Sequence, residues 1–271
     1  MTHSATGCAV ITGGGGLLGR GMAIAFAREG MDIVLADIDE TKLAATAEAV
    51  RAHGRVALTQ VTDASDPAAM DALAAAAYAR FGQVNRLCLN AGRAILKPFT
   101  ELTRDDWNQV LGVQFGGVLN GVLSFLPRLI AQGGDRHVVV TSSMSGVGRA
   151  DLRTINAPYV VAKFASVGLV EVMAPVLEPY GIGVSVLCPG MTVADPLTPR
   201  DGLWKTPSAA LYQNNLLVAD QVAAEVIAGV RERRLYIFPH RAGREEVLGR
   251  HARLMEGFDQ AERTSPQLNS C

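Results

Sequence analysis

Cys8-Ala9-Val10-Ile11-Thr12-Gly13-Gly14-Gly15-Gly16-Leu17-Leu18-Gly19 decides how this chain is read. Residues 8–12 are an unbroken apolar run of strand length, and an amphipathic helical pattern follows over about Gly19–Glu29. A glycine-rich turn between a first strand and a first helix has a physical use. The glycines allow a tight turn and close approach of a pyrophosphate, and the helix N-terminus supplies free N–H groups and a partial positive charge. Gly13, Gly16 and Gly19, with Leu17 and Leu18 between them, are therefore candidate cofactor-binding residues. Asp37 ends the second strand, Asp32–Ala36. A carboxylate there suits the two hydroxyls of an adenosine ribose and repels a 2′-phosphate. No Arg or Lys stands in Gly13–Gly16 or at Ile38 to offset that repulsion. Charge favours NAD over NADP.

The alternation continues along the chain. Asp39 caps a helix that ends at Gly54, Arg55–Thr59 is a third strand, and Asp66-Pro67 opens an Ala-rich helix to about Phe81. Arg86–Asn90 is a fourth strand, and a long helix covers about Arg104–Gln132 before the stop at Gly133-Gly134. His137–Ser142, Val184–Cys188 and Leu235–Phe238 complete seven strands, with a helix from about Pro158. Interior Pro175 is expected to kink or shorten that helix. Continuously apolar strands alternating with helices predict an α/β fold, a parallel sheet covered on both faces. No repeat or linker divides the 271 residues, so one domain is expected. Residues 194–215 are polar and proline-containing, which suggests a substrate lid loop. The pattern from Arg241 to about Ala261 is helical, and residues 262–271 are expected to be disordered.

Composition excludes several classes. The formal net charge is −1, which offers no electrostatic reason to bind nucleic acid or an anionic membrane. No apolar stretch reaches the roughly 18–20 residues needed to span a bilayer, and the first residues lack the pattern of a secretory signal. The four cysteines, Cys8, Cys88, Cys188 and Cys271, are widely spaced. That spacing argues against a metal site or a disulfide framework and suits the reducing cytoplasm.

Tyr159-Val160-Val161-Ala162-Lys163 puts a phenol and an ammonium one helical turn apart on the same face. The reference tyrosine pKa of about 10 is too high for a base at neutral pH. A unit charge about 4 Å away, at an effective dielectric of 20, is worth roughly 4 kcal/mol, or up to about three pKa units. Such a tyrosine can exchange a proton with an alcohol. Ser142-Ser143 ends the fifth strand, and reacting groups gather at strand carboxyl ends in open α/β sheets.

Taken in order, the glycine turn, Asn90-Ala91-Gly92, Ser142-Ser143, Tyr159 through Lys163 and Pro189-Gly190 resemble the short-chain dehydrogenase/reductase family, in its short single-domain branch, over about residues 6–240. The resemblance implies a seven-stranded, doubly wound Rossmann sheet, a nicotinamide cofactor, and interconversion of a secondary alcohol and its ketone by hydride transfer. It implies Tyr159 as general acid/base, Lys163 holding the nicotinamide ribose and tuning the phenol, and Ser143 orienting the substrate oxygen. Asn90, Ala91 and Gly92 would line the adenosine ribose, and Pro189-Gly190 would face the carboxamide. It also implies a homodimer or homotetramer packed through the long helices.

Four positions depart from the family pattern. Leu17 replaces the short branch's middle glycine. Gln60 stands where an aspartate commonly meets adenine, with Asp63 three residues on. Gln114 replaces the asparagine of the proton relay. Ala194 replaces a threonine that contacts the carboxamide, a role Thr192 can take. Met144, Leu152, Ile155, Met191, Leu203, Trp204 and Tyr212 are candidate pocket-lining residues. Shorter similarities, such as Val118–Val122 and Leu235–Pro239, point to bacterial dehydrogenases of aryl secondary alcohols. Two alternatives stand beside this reading. One is a ketoreductase or imine reductase working in the reductive direction. The other is a non-catalytic NAD sensor, which the departures at Leu17, Gln60 and Gln114 would suit.

Overall fold

The first strand, β1 (Cys8–Thr12), is buried along its whole length and lies inside a seven-stranded sheet. β2 (Asp32–Asp37) and β3 (Ala57–Val61) lie on one side of it, and β4 (Arg86–Leu89), β5 (Arg136–Thr141), β6 (Ile182–Leu187) and β9 (Tyr236–Ile237) on the other. The order is β3-β2-β1-β4-β5-β6-β9, and every pairing is parallel. The reversal between β3 and β4 opens a crevice beyond the carboxyl ends of β1 and β4, where ligands bind in folds of this kind. The computed structural model describes residues 7–148, 155–193, 216–241 and 243–264.

Side chains alternate across a strand, and here both faces are covered, so the strands read as continuous apolar runs. Val10, Val34, Leu87, Val138 and Val184 point to one face. There they meet α3 (Pro67–Phe81), α5 (Gly117–Gln132) and α6 (Ala157–Leu177) through Leu73, Phe125 and Val170. Ile11, Leu35, Cys88, Val139 and Leu187 point to the other face. Their partners are Met22 and Phe26 of α1 (Leu17–Arg28), Leu43 of α2 (Glu40–Arg51) and Val226 of α7 (Ala219–Arg231).

Several expectations are corrected. The helix after Thr103 is α4 (Arg104–Leu111), and it joins α5 through a π-helical turn, Gly112–Gly116, which sequence reading passed over. Pro175 does not shorten α6, which continues to Leu177, and Pro179 falls in the following 3₁₀ turn. Helix α7 was missed, although Val222, Val226 and Val230 repeat at helical spacing. Two helical stretches, Arg104–Gln132 and Ala157–Tyr180, are long and apolar enough to cross a membrane, contrary to expectation. They flank the sheet, and their most apolar windows are 39% and 44% buried within the body. The final helix, α8 (Arg244–Thr264), extends through 262–264, which were expected to be disordered. The expected lid, 194–215, lies outside the described residues. Its flanks pair as a small parallel sheet, with Thr192 of β7 (Thr192–Val193) opposite Leu217 of β8 (Leu217–Val218).

Candidate active site

The carboxyl ends of the strands surround a cleft of about 550 Å³ and a side pocket of about 200 Å³. At the cleft's base the glycine turn is built to be thin. Gly13 has φ +66°, and a Cβ there would lie 2.9 Å from Ala91 Cα. A Cβ on Gly19 would lie 2.1 Å from Gly13 O, so α1 packs against its own turn. Gly16 is the N-cap of α1 and makes no side-chain cap, and Gly16, Leu17 and Leu18 all line the cleft. A helix N-terminus left open in this way suits an anion. Leu17 is the first residue of the helix and leaves the cleft open.

Asp37 lines both cavities; its Oδ2 accepts from Gly15 N–H at 3.0 Å and its Oδ1 from Asp39 N–H at 3.2 Å. Asn90 is tied to the end of β1: its Nδ2 donates to Thr12 O, and its N–H and that of Ala91 donate to Thr12 Oγ1 at 2.9 and 3.1 Å. Ala91 and Gly92 line the side pocket, together with Thr62 and Asp63. Gln60 does not line it. A polar, acid-edged pocket beside an open helix end fits an adenosine with its ribose and diphosphate.

At the other end, Tyr159 and Lys163 on α6 share the cleft with Ser143, Pro189, Gly190, Met191 and Thr192. Tyr159 is half-buried and Lys163 is buried. The Lys163 Nζ lies 5.3 Å from the centre of the Tyr159 ring and donates to Thr141 O at 2.7 Å. Burial lowers the Lys163 ammonium to about 7. Reading the sequence had assigned this residue a full charge; the structure brings it near its point of neutralisation at pH 7. The two serines separate clearly. Ser142 Oγ donates to Lys163 O at 2.8 Å and fixes the strand to α6. Ser143 Oγ accepts from Ser145 N–H at 3.0 Å, which leaves its hydroxyl proton available.

Gln114 sits in the π turn, where its Nε2 donates to Arg93 O at 2.7 Å. A Cβ on Gly92 would come within 2.7 Å of Gln114 Oε1, so that glycine makes room for the longer amide. Among the described residues, three buried side-chain oxygens have no hydrogen-bond partner: Gln114 Oε1, Thr141 Oγ1 and Asn156 Oδ1. All three residues line the cleft. Buried oxygens left unpaired are costly, and their clustering marks a place where polar ligand or water completes the protein.

Met144, Met191 and Ile155 line the cleft; Leu152, Ala194, Leu203, Trp204 and Tyr212 lie outside the described residues. Arg93, Ala94, Leu96 and Asn156 also line it and were missed. Their signal was position, since Arg93 directly follows Asn90-Ala91-Gly92 at a strand's carboxyl end. No cluster of His, Cys, Asp and Glu suited to a metal occurs among the described residues.

A family model for short chain dehydrogenases matches residues 7–201. The chain belongs to the short-chain dehydrogenase family. The oxidoreductase EphD of Mycobacterium tuberculosis is 36% identical over 181 residues, which are 67% of this chain and 30% of that protein. The chain thus spans under a third of the length of that mycobacterial relative. A C alpha-dehydrogenase of Sphingobium sp. is 33% identical over 252 residues, 88% of this chain and 81% of the relative. A short chain dehydrogenase/reductase of Burkholderia phymatum, solved in complex with NAD, superposes with a TM-score of 0.81 at 33% identity, covering 95% of this chain and 96% of that one. The Burkholderia structure shares the Rossmann architecture of this chain over nearly its whole length.

Proposed function

We propose that this protein is an NAD-dependent oxidoreductase that interconverts a secondary alcohol, aryl-substituted, and its ketone. The observation that carries the reading is one cleft that joins the glycine turn and Asp37 to Ser143, Tyr159 and Lys163. The NAD complex of the Burkholderia neighbour and the name of the C alpha-dehydrogenase support it. NAD, when bound, supplies the hydride chemistry; the protein supplies position and a proton path. The α1 N-terminus and Gly13, Gly16 and Gly19 would cradle the diphosphate. Asp37, Asn90 and Ala91 would hold the adenosine ribose, and Asp63 the adenine edge. Pro189, Gly190 and Thr192 would meet the carboxamide.

The Ser143 hydroxyl donates to the substrate oxygen and fixes it beside the phenol. Tyr159 Oη takes the alcohol proton during oxidation and returns it during reduction. Lys163 would hold the nicotinamide ribose, and its protonated form favours the phenolate. Gln114, in the π turn, would offer its unpaired Oε1 at the inner end of that path. Met144, Met191 and Ile155 form an apolar wall that suits an aryl group. The test is NADH absorbance with a panel of aryl alcohols and ketones. Tyr159→Phe should bind NADH as the wild type does and lose about 10²–10⁴-fold in turnover. Unchanged turnover overturns the role of Tyr159, and NAD binding with silence across the whole panel favours a sensor.

The same reading makes the protein a cytoplasmic homodimer or homotetramer. Buried free thiols at Cys8, Cys88 and Cys188 suit a reducing compartment. Leu119, Leu123 and Ile130 of α5, and Val161, Val172 and Val176 of α6, form exposed apolar stripes that a second copy would cover. Light scattering at micromolar concentration checks this, and a monomer refutes it.

A further inference from the structure

Four residues line both the cleft and the side pocket: Gly13, Asp37, Gly92 and Arg93. They form the neck between the two cavities. The first three carry no positive charge, and Asp37 adds a negative one. Arg93 is exposed, and among the described residues its guanidinium has no hydrogen-bond or ion-pair partner. Its backbone, by contrast, is held in place, because Arg93 O accepts from Gln114 Nε2 at 2.7 Å. The cleft's other cation, Lys163, is buried and committed to Thr141 O. The glycine turn and Leu17-Leu18-Gly19 carry no basic side chain, and Arg20, which follows them, lines neither cavity and donates to Ala45 O at 3.0 Å.

We propose that Arg93 is an anion-recognition residue that holds the diphosphate of the dinucleotide where it passes through this neck. The inference rests on the NAD reading above and adds to it a charged contact. A molecule with its adenosine in the side pocket and its reactive ring beside Tyr159 must thread its diphosphate between Gly13 and Arg93. The open N-terminus of α1 offers only partial charge there. A planar guanidinium is suited to two phosphate oxygens at once. It also offsets the repulsion between the diphosphate and Asp37. The chain thus places its phosphate cation after the fourth strand, where the glycine turn has none.

The test measures binding of NADH, ADP-ribose and adenosine to the wild type, Arg93→Gln and Arg93→Lys, at low and high salt. Arg93→Gln should weaken NADH and ADP-ribose about tenfold, leave adenosine unchanged and flatten the salt dependence; Arg93→Lys should recover part of the loss. Thermal unfolding checks that each variant is folded. Equal affinity of wild type and Arg93→Gln for NADH overturns the proposal, as does equal weakening of adenosine. If only the KM of an acidic ketone rises, and not that of a neutral one, the cation serves a substrate anion and the diphosphate assignment fails. A wild type that binds adenosine but neither NADH nor ADP-ribose overturns the dinucleotide reading itself.

Discussion

The two ends of the parallel sheet treat buried polar groups in opposite ways. At the amino end they are paired, except that Arg234 Nε makes no hydrogen bond and has only the carboxylate of Glu232 at 3.1 Å. Asn85 Oδ1 accepts from Cys8 N–H, and Gln132 Oε1 accepts from the Tyr78 hydroxyl and from Val84 N–H. Arg136 donates to the carbonyls of Leu129, Gly134 and Tyr180. His137 Nε2 meets Ser185 Oγ at 2.7 Å, and that hydroxyl donates to Arg234 O. At the carboxyl end, Gln114, Thr141 and Asn156 each keep a buried oxygen unpaired. Polar side chains at one end close the structure, and at the other they hold unspent bonding capacity facing a cleft. The difference marks the candidate site without reference to any relative.

Glycine replacements should break the comparison most visibly. A Cβ on Gly183 would lie 2.2 Å from His137 Nδ1, and one on Gly19 would lie 2.1 Å from Gly13 O. Each Ala variant should lose about 1–3 kcal/mol or more of stability. Gly19→Ala should also lose NADH binding by two orders of magnitude or more, whereas Gly183→Ala, where folded, should bind NADH as the wild type does. Calorimetry and NADH titration check both, and equal NADH affinities would erase the distinction between the ends.

Acid and alkali sharpen it further, because each end holds a buried basic group whose pKa is lowered. Burial lowers His137 to about 3 and Lys163 to about 7. Unfolded chains have these groups near 6.5 and 10.5. Between pH 5 and 6.5 the unfolded chain binds a proton at His137 that the folded protein refuses, so stability falls as pH falls. Between pH 7 and 9 the same holds at Lys163, so stability rises with pH. Each window has a slope of up to about 1.4 kcal/mol per pH unit. Above pH 9 the trend reverses, since burial pushes the Cys8, Cys88 and Cys188 thiols up to about 12 and only the unfolded chain ionises them. Urea unfolding across pH measures both windows. His137→Asn should flatten the acid one and Lys163→Met the alkaline one; a variant that flattens the other window would refute the assignment.

The sheet was legible because its strands are buried on both sides and so appear as apolar runs between turn residues. Strand ends were less so: β6 begins at Ile182 where Val184 was expected, because Ile182 and Gly183 pair with Arg136 and His137 across the sheet. The Tyr159, Lys163 and Ser143 set was legible from residue chemistry and order. The division of labour between Ser142 and Ser143 was not, since it depends on which hydroxyl reaches Lys163 O. The π turn around Gln114 and the place of Arg93 in the neck depend on packing between distant elements and leave no periodic trace. The two-residue strands β7 and β8 are too short to carry a pattern.

Those two strands have a consequence for how the protein can be varied. Leu217 N–H donates to Met191 O at 3.0 Å, and the Thr192–Leu217 pairing brings the two ends of a long excursion back to one spot. A segment whose exit and return are clasped together is modular. Doubling its length changes the closure entropy by only about 0.6 kcal/mol, and the seven-strand registers lie outside it. Divergence among homologues, or grafting in the laboratory, can therefore rewrite residues 194–215 while the frame that carries the tyrosine stays as it is.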